Sequence, residues 1–376
     1  MGWPVSRRAF LRCAGRAGSL ALGGGILGGV GSLARPASAA DLVKAEYWKP
    51  AADKVVRCAL CPRGCVVACD ERGFCGARCN LDGTYYTMVY GKVAAKKLDP
   101  IEKDPLYHFH PGTKTLAIAT AGCNLDCSFC QSWQMAQSRP EDVPSELLTP
   151  AQVVDTAVAA GCQGVCFTYT EPVNFIEYAC AVAEEAHGRG LYAVCHTAGY
   201  VNPGPLKDLC QAMDAFAVDL KGSSEDFYRQ HCGNAKLQPV LDTIQAIHQS
   251  GKHLEIVTLV LPGLNDSPDG IVLIANWIAS ALGPDVPYHL TKFFPEYKLK
   301  NLQATANAKL EEVRGAVYQQ SPLRYVYIGN VPGHGGQSTY CPTCNARVVW
   351  RVGYTVREVA LRNGRCACGT RVKGVW

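Results

Sequence analysis

The chain has 376 residues, 48% hydrophobic and 18% charged, which excludes a disordered or collagen-like polymer and leaves room for one large domain with appendages, or for two domains. Of its 37 lysines and arginines, five (Arg7, Arg8, Arg12, Arg16 and Arg35) fall in the first forty residues, which hold no acid; the remaining 32 face 32 acids. The net charge of +5 therefore belongs to the front of the chain, and a neutral body makes nucleic acid an unexpected partner.

Residues 1–40 open with paired arginines in "SRRAFLR", continue through an uncharged, glycine-rich stretch at 17–34, and end in "ASAA" at 37–40. The arrangement resembles a twin-arginine signal peptide and is too short and glycine-rich for a membrane span. It predicts export by that route, to a periplasmic or membrane-associated location. The alternatives are an uncleaved anchor and a cytoplasmic protein with a misread start.

Twenty cysteines are distributed unevenly. Residues 41–110 are rich in Gly and Pro and carry six of them in "CALCPRGCVVACDERGFCGARCN" (58–80). Tight C-x-x-C clusters in a chain of this size point to metal rather than to disulfides. The scattered Cys162, Cys166, Cys180, Cys195, Cys210 and Cys232 read as small buried hydrophobes.

From about Thr115, short apolar runs alternate with amphipathic segments. Strands are predicted at 115–120, 164–169, 191–196, 215–220, 253–260, 287–293 and 325–329. Between them, "TPAQ" (149–152) has a helix-opening Thr, Pro and capping-box Gln, and "SPDG" (267–270) repeats the Ser–Pro start. Such βα repeats imply a parallel sheet with right-handed crossovers, and six or seven units suggest a full or partial (β/α) barrel over 111–332. Cys123, Glu171, His196, Thr197, Asp219 and Lys221 all follow or end strands, where barrel active sites are built. Residues 333–376 lack the alternation. There Cys341 and Cys344 pair with Cys366 and Cys368 in a zinc-ribbon-like layout, although "CAC" has one spacer where the usual knuckle has two.

The stretch "TAGCNLDCSFCQSWQ" (120–134) places Cys123, Cys127 and Cys130 as C-x-x-x-C-x-x-C directly after the first predicted strand. Three thiolates can grip three irons of a [4Fe–4S] cube and leave the fourth open. The alternative is a zinc site or ordinary cluster closed by a distant cysteine.

"CNLDCSFC", with Phe129 before its last cysteine, resembles the cluster motif of radical S-adenosylmethionine enzymes. The resemblance implies an α/β fold, a partial (β/α)6 barrel, with Cys123, Cys127 and Cys130 holding a [4Fe–4S] cluster and S-adenosylmethionine completing the open iron. One electron from a low-potential donor then cleaves the sulfonium, and the resulting 5′-deoxyadenosyl radical abstracts hydrogen. Glu171 in "YTEP" stands in the place of the family's Gly-Gly-Glu acid, which holds the cofactor's amino group; Tyr169 and Thr170 replace the two glycines. "HTAGY" (196–200) and "AVDLKG" (217–222) resemble the pyruvate formate-lyase activating enzymes. That likeness implies Thr197 and Asp219 near the cofactor's carboxylate and Lys221 near the substrate, with His196 where that branch has an acid.

A narrower likeness spans nearly the whole chain beyond the leader. The segments 58–80, 97–113, "FFPEYKL" (293–299) and "YCPTCNARVVWRVGY" (340–354) resemble the radical enzyme of the AmmeMemoRadiSam system. It implies Memo-like proteins as partners and an N-terminal ligand set of Cys58, Cys61, Cys65 and Cys75. That set would hold Zn²⁺ or a second iron–sulfur cluster, with Cys69 and Cys79 as competing choices. A second metal is expected on Cys341, Cys344, Cys366 and Cys368. The leading expectation is a glycyl-radical-activating-like enzyme whose catalytic Lys221, His289 and Glu296 face an unnamed substrate, with a protein or peptide as one target. The alternative is a non-catalytic iron–sulfur or zinc protein of electron transfer or assembly.

Overall fold

The structure, a computed structural model, describes residues 42–376; the leader expected at 1–40 lies outside the described residues. Among these, one sheet has eight strands: β1 (Ala95–Pro100), β2 (Lys114–Ala119), β3 (Gly164–Phe167), β4 (Tyr192–Thr197), β5 (Ala215–Asp219), β6 (His253–Val260), β7 (Tyr288–Lys292) and β8 (Val326–Gly329). Each strand pairs with its neighbours in chain order. All pairings are parallel except β1 with β2, which is antiparallel. Helices follow the parallel strands: α1 (Pro150–Ala159), α2 (Ile176–Gly188), α3 (Pro203–Ala212), α4 (Glu225–His231) with α5 (Gln238–Gln249), α6 (Pro268–Leu282) and α7 (Asn307–Gln320). This is the partial (β/α)6 barrel, with a seventh parallel strand.

Local sequence accounts for these elements. Strands such as "GVCF" are buried along their whole length, as parallel strands covered on both faces must be. Thr149 and Gln152 form the reciprocal capping box that starts α1, and Ser267 accepts from the Gly270 N–H to start α6. Strand β1 escaped the pattern because "AKKLDP" is a polar edge with a mixed burial pattern.

The appendages pack onto this frame through buried ion pairs. In the N-terminal segment, two small antiparallel sheets enclose Ala45, Val56, Val67 and Tyr85. Arg78 crosses from there to Glu177 of α2 at 2.6 Å. In the C-terminal segment, Thr339–Tyr340, Arg347–Val352 and Thr355–Val359 form an antiparallel sheet. Its Arg351 is buried against Glu102 (3.4 Å) and donates to the Thr339 hydroxyl (2.9 Å) and Tyr107 carbonyl (2.5 Å).

Sheet edges β1 and β8 are joined by the segment that follows β1. His108 donates its backbone N–H to Glu255 of β6 (2.7 Å), and its ring lies between Tyr327 of β8 (2.5 Å) and the Lys373 carbonyl (2.7 Å). Burial would push the Glu255 carboxyl up, but bonds from His253 (2.9 Å) and His289 (2.6 Å) hold it well below the usual range.

Candidate active site

A cavity of about 580 Å³ opens at the carboxyl ends of the parallel strands. Cys123, Cys127 and Cys130 line it, on the loop after β2. That loop is gripped from several sides. Gly122 has φ +93°, and a Cβ there would meet the Cys75 carbonyl at 2.4 Å, so only glycine suits the position. Arg63 donates to the Asn124 carbonyl (2.9 Å), the Asn124 amide donates to the Tyr200 carbonyl (2.7 Å), and Lys298 pairs with Asp126 (2.6 Å). Three cysteines are thus prepositioned by contacts outside the motif.

Cys232, read from sequence as a core hydrophobe, stands beside this loop. Its backbone bridges to Cys127, and its thiol draws the Cys127 pKa below the ordinary value. A hydrogen bond to a cluster-ligating sulfur tunes reduction potential. Phe129 is buried, with its ring 6.1 Å from Phe227 and under Lys221 Nζ at 5.9 Å.

Glu171 also lines the cavity. It accepts from the Thr197 hydroxyl (2.6 Å) and from the Ala198 (2.8 Å) and Val173 (3.2 Å) N–H groups. Burial pushes its carboxyl up, and these donors pull the other way. Tyr169, in place of the family's first glycine, has φ +63°, the left-handed region that glycine enters freely. Its hydroxyl bonds to Asp99 and receives Lys103 Nζ at 3.2 Å, contacts that offset the strain. Thr170 donates to the Thr120 carbonyl at 2.8 Å.

The ends of β4 and β5 supply a charged row. Asp219 accepts from His196 Nε2 (3.0 Å) and Lys221 Nζ (2.7 Å). Burial would raise the Asp219 carboxyl, yet Lys221 and His196 hold it far below the carboxylate range. Burial works against the charge on His196 and Lys221 too, and Asp219 raises both.

The remaining predicted residues divide. His289 lines the cavity and donates Nε2–H to Glu255. Glu296 is absent from the cavity lining: its carboxylate accepts from the Trp133 indole at 2.9 Å. Trp133 in turn stacks on Tyr297 at 5.3 Å, so the "FFPEYKL" acid braces the cysteine loop instead of facing the space within. Sequence reasoning missed Glu102 and Asp104, on the segment after β1, and Gln337 and Tyr354, from the C-terminal appendage, all of which line the cavity.

The flanking cysteine groups differ from each other. The thiols of Cys58, Cys61, Cys65 and Cys75 are mutual electrostatic neighbours; burial pushes Cys61 up to about 12 and Cys75 to about 11. Cys79 faces Arg72 and Glu141 instead. Among the described residues, only Cys341, Cys344, Cys366 and Cys368 bring ligand atoms within 4.8 Å of one another, and this group can hold a metal ion.

The sequence profile of the radical SAM superfamily matches residues 117–272, from β2 into α6. The uncharacterised protein MJ0808 of Methanocaldococcus jannaschii is 38% identical over 332 residues, 88% of this chain and 98% of that protein. The chain belongs to the radical SAM superfamily. The benzylsuccinate synthase activating enzyme of Thauera aromatica is 27% identical over 116 residues, 31% of this chain and 35% of its own length. Two solved structures are similar. A domain of a pyruvate-formate lyase-activating enzyme from Bacteroides vulgatus has a TM-score of 0.39 and 17% identity, covering 44% of this chain and 99% of that one. A radical SAM methyltransferase from Sphaerobacter thermophilus has a TM-score of 0.47 and 16% identity, covering 61% and 71%. Radical SAM membership implies a [4Fe–4S] cluster and S-adenosylmethionine. The residues present fit that pair: three thiols on one clamped loop face a cavity that also contains a buried carboxylate.

Proposed function

We propose that this protein is a radical S-adenosylmethionine enzyme of the AmmeMemoRadiSam type, related to the glycyl-radical-activating branch. It would act by hydrogen abstraction on a substrate admitted to the barrel cavity. The observation that carries the reading is the meeting of Cys123, Cys127, Cys130 and Glu171 in one cavity. When bound, the cluster and S-adenosylmethionine supply a 5′-deoxyadenosyl radical. The chain's own residues do the positioning. Glu171, held by Thr197 and Ala198, presents a fixed acceptor for an amino group. The His196–Asp219–Lys221 row holds a proton-bearing cation over Phe129, where it can meet a carboxylate.

The C-terminal tetrad suits zinc. Four sulfurs about 2.3 Å from one ion stand about 3.8 Å apart, and Cys341–Cys368 and Cys344–Cys366 are each separated by 3.6 Å. The four N-terminal thiols face one another and would hold Zn²⁺ or a second iron–sulfur cluster. A low-potential donor and Memo-like proteins complete the proposed system, and export by the twin-arginine route would follow cofactor loading.

The test is spectroscopic. Protein lacking residues 1–40 is reconstituted anaerobically and reduced, and its electron paramagnetic resonance spectrum is recorded with and without S-adenosylmethionine. A spectrum altered by the cofactor in wild type, and unaltered in Glu171→Ala, is expected. A spectrum indifferent to the cofactor in wild type would point instead to an electron carrier.

A further inference from the structure

Among the described residues, eleven buried side-chain polar atoms lack a hydrogen-bond partner in the protein, and four of them line this one cavity: Glu102 Oε2, Asp104 Oδ2, His289 Nδ1 and Gln337 Oε1. Their residues are 1%, 3%, 0% and 1% exposed. A buried acceptor left unpaired is costly, and folded proteins keep few of them. Concentration of four on one cavity is therefore a property of the site, not scatter.

All four are acceptors. Glu102 already takes the Gly112 N–H (3.0 Å) and Arg351 Nε (3.4 Å) on Oε1, leaving Oε2 free. Asp104 lies beside Cys166 and Thr168. His289 Nε2 stands 2.6 Å from Glu255, a carboxylate that also accepts from His253 and the His108 N–H and has nothing to donate. Nε2 therefore carries the ring hydrogen, and Nδ1 is left as a lone pair. These residues form a connected wall. Arg351 spans Glu102, the Gln337 carbonyl (3.4 Å) and the Tyr107 carbonyl, and the Tyr107 ring meets His289 edge-on at 4.7 Å.

Charge points the same way. The wall holds two carboxyls that burial pushes up; Arg351 pairs with Glu102, and His196 lies within electrostatic reach of Asp104. The lysines of the lining face other carboxylates, Lys103 facing Asp99 (2.8 Å) and Lys221 facing Asp219 (2.7 Å), and no hydrogen bond joins either to this wall. A partner for this wall must bring N–H donors, and one that is also positively charged would hold both buried carboxyls ionised against the burial that pushes them up.

We propose that Glu102, Asp104, His289 and Gln337 form the recognition subsite for an ammonium or guanidinium group of the substrate. The word substrate rests on the radical-enzyme reading above; the subsite itself rests on the orphaned acceptors.

The test is anaerobic calorimetric titration of the cluster-loaded protein, without reductant, using n-butylammonium, N-methylguanidinium, butyramide and butyrate. Saturable binding of one or both cations, with neither control bound, is expected; which cation binds more tightly distinguishes the two sources of the charge. Asp104→Asn should weaken cation binding at least about tenfold, the loss of one charge-assisted bond. If that variant melts out, Gln337→Met, which leaves every charge in place, should weaken it several-fold. Butyramide or butyrate binding as tightly as the cations, no saturable cation binding because water alone fills the wall, or unchanged affinity in folded variants would each overturn the proposal. No turnover is needed, so cation binding without 5′-deoxyadenosine formation would count against the radical reading alone, and the reverse against the subsite alone.

Discussion

The C-terminal tetrad and the central triplet are both built from closely spaced cysteines, yet they solve opposite problems. In the tetrad, ligand atoms all lie within 4.8 Å of one another, two of the four residues are exposed, and none of them lines the barrel cavity. In the triplet, three thiols share a clamped loop and open onto a cavity that the buried Glu171 also lines. A closed set of four saturates an ion and stabilises a fold; an open set of three leaves a coordination position for chemistry. The difference lies in what surrounds the sulfurs more than in the sulfurs themselves.

The sharpest way to break this contrast is to delete one ligand from each group. Cys366→Ser should abolish metal binding by the tetrad, removing a contribution on the order of 10–16 kcal/mol to the folding of the ribbon. Metal analysis and limited proteolysis would show the ion lost and 339–376 cut. Retention of metal and protease resistance would mean that the tetrad is not a closed site. Cys127→Ala should instead lose the central iron while keeping its melting curve close to wild type, because the loop is held by Arg63, Asn124 and Lys298.

Arg351 joins the two regions, since it lies on the ribbon and holds Glu102 at the cavity. Arg351→Met strands a buried carboxylate and should cost about 3–5 kcal/mol, read by denaturant unfolding. A loss below 1 kcal/mol would show that the ribbon and barrel are not coupled there.

A smaller effect follows from His108 behind the cavity wall. Burial lowers its pKa to about 3, so the folded ring stays neutral while the unfolded chain takes up a proton below about 6.5. Stability from this group is present above pH 6.5 and falls as pH drops, by about 2 kcal/mol at pH 5. His196 has the opposite sign: Asp219 raises it against burial, so its contribution is present below about 6.5 and lost as pH rises through the raised value. Melting temperatures of wild type and His108→Asn between pH 5 and 7 separate the two, with a shallower acid limb expected in the variant. The smallest effect is at Tyr169, where Tyr169→Gly relieves a left-handed residue worth about 1–2 kcal/mol but loses the Asp99 and Lys103 contacts. A net change within about 1 kcal/mol is expected, checked by the same melts.

Much of this was legible in the sequence, and the reason is locality. The strand predicted at 115–120 is Lys114–Ala119, that at 253–260 is His253–Val260, and Thr149 and Ser267 cap helices as expected. The triplet could be read because its ligands sit within eight residues. The acceptor wall could not, because Arg351 and Glu102 are 249 residues apart and meet only through the packing of the C-terminal segment on the barrel. Cys232 was hidden for the same reason: nothing in "HCGN" announces Cys127. Glu296 sat at the end of a strand but was drawn to Trp133, a partner that strand-end position alone does not reveal.

The central claim is that the open triplet makes this chain a radical enzyme. The most direct measurement is 5′-deoxyadenosine, assayed by mass after anaerobic reconstitution, dithionite reduction and addition of S-adenosylmethionine, in wild type and Cys127→Ala. The account predicts product in wild type and none in the variant. A cluster-loaded, reduced wild type that forms no more product than Cys127→Ala would contradict it.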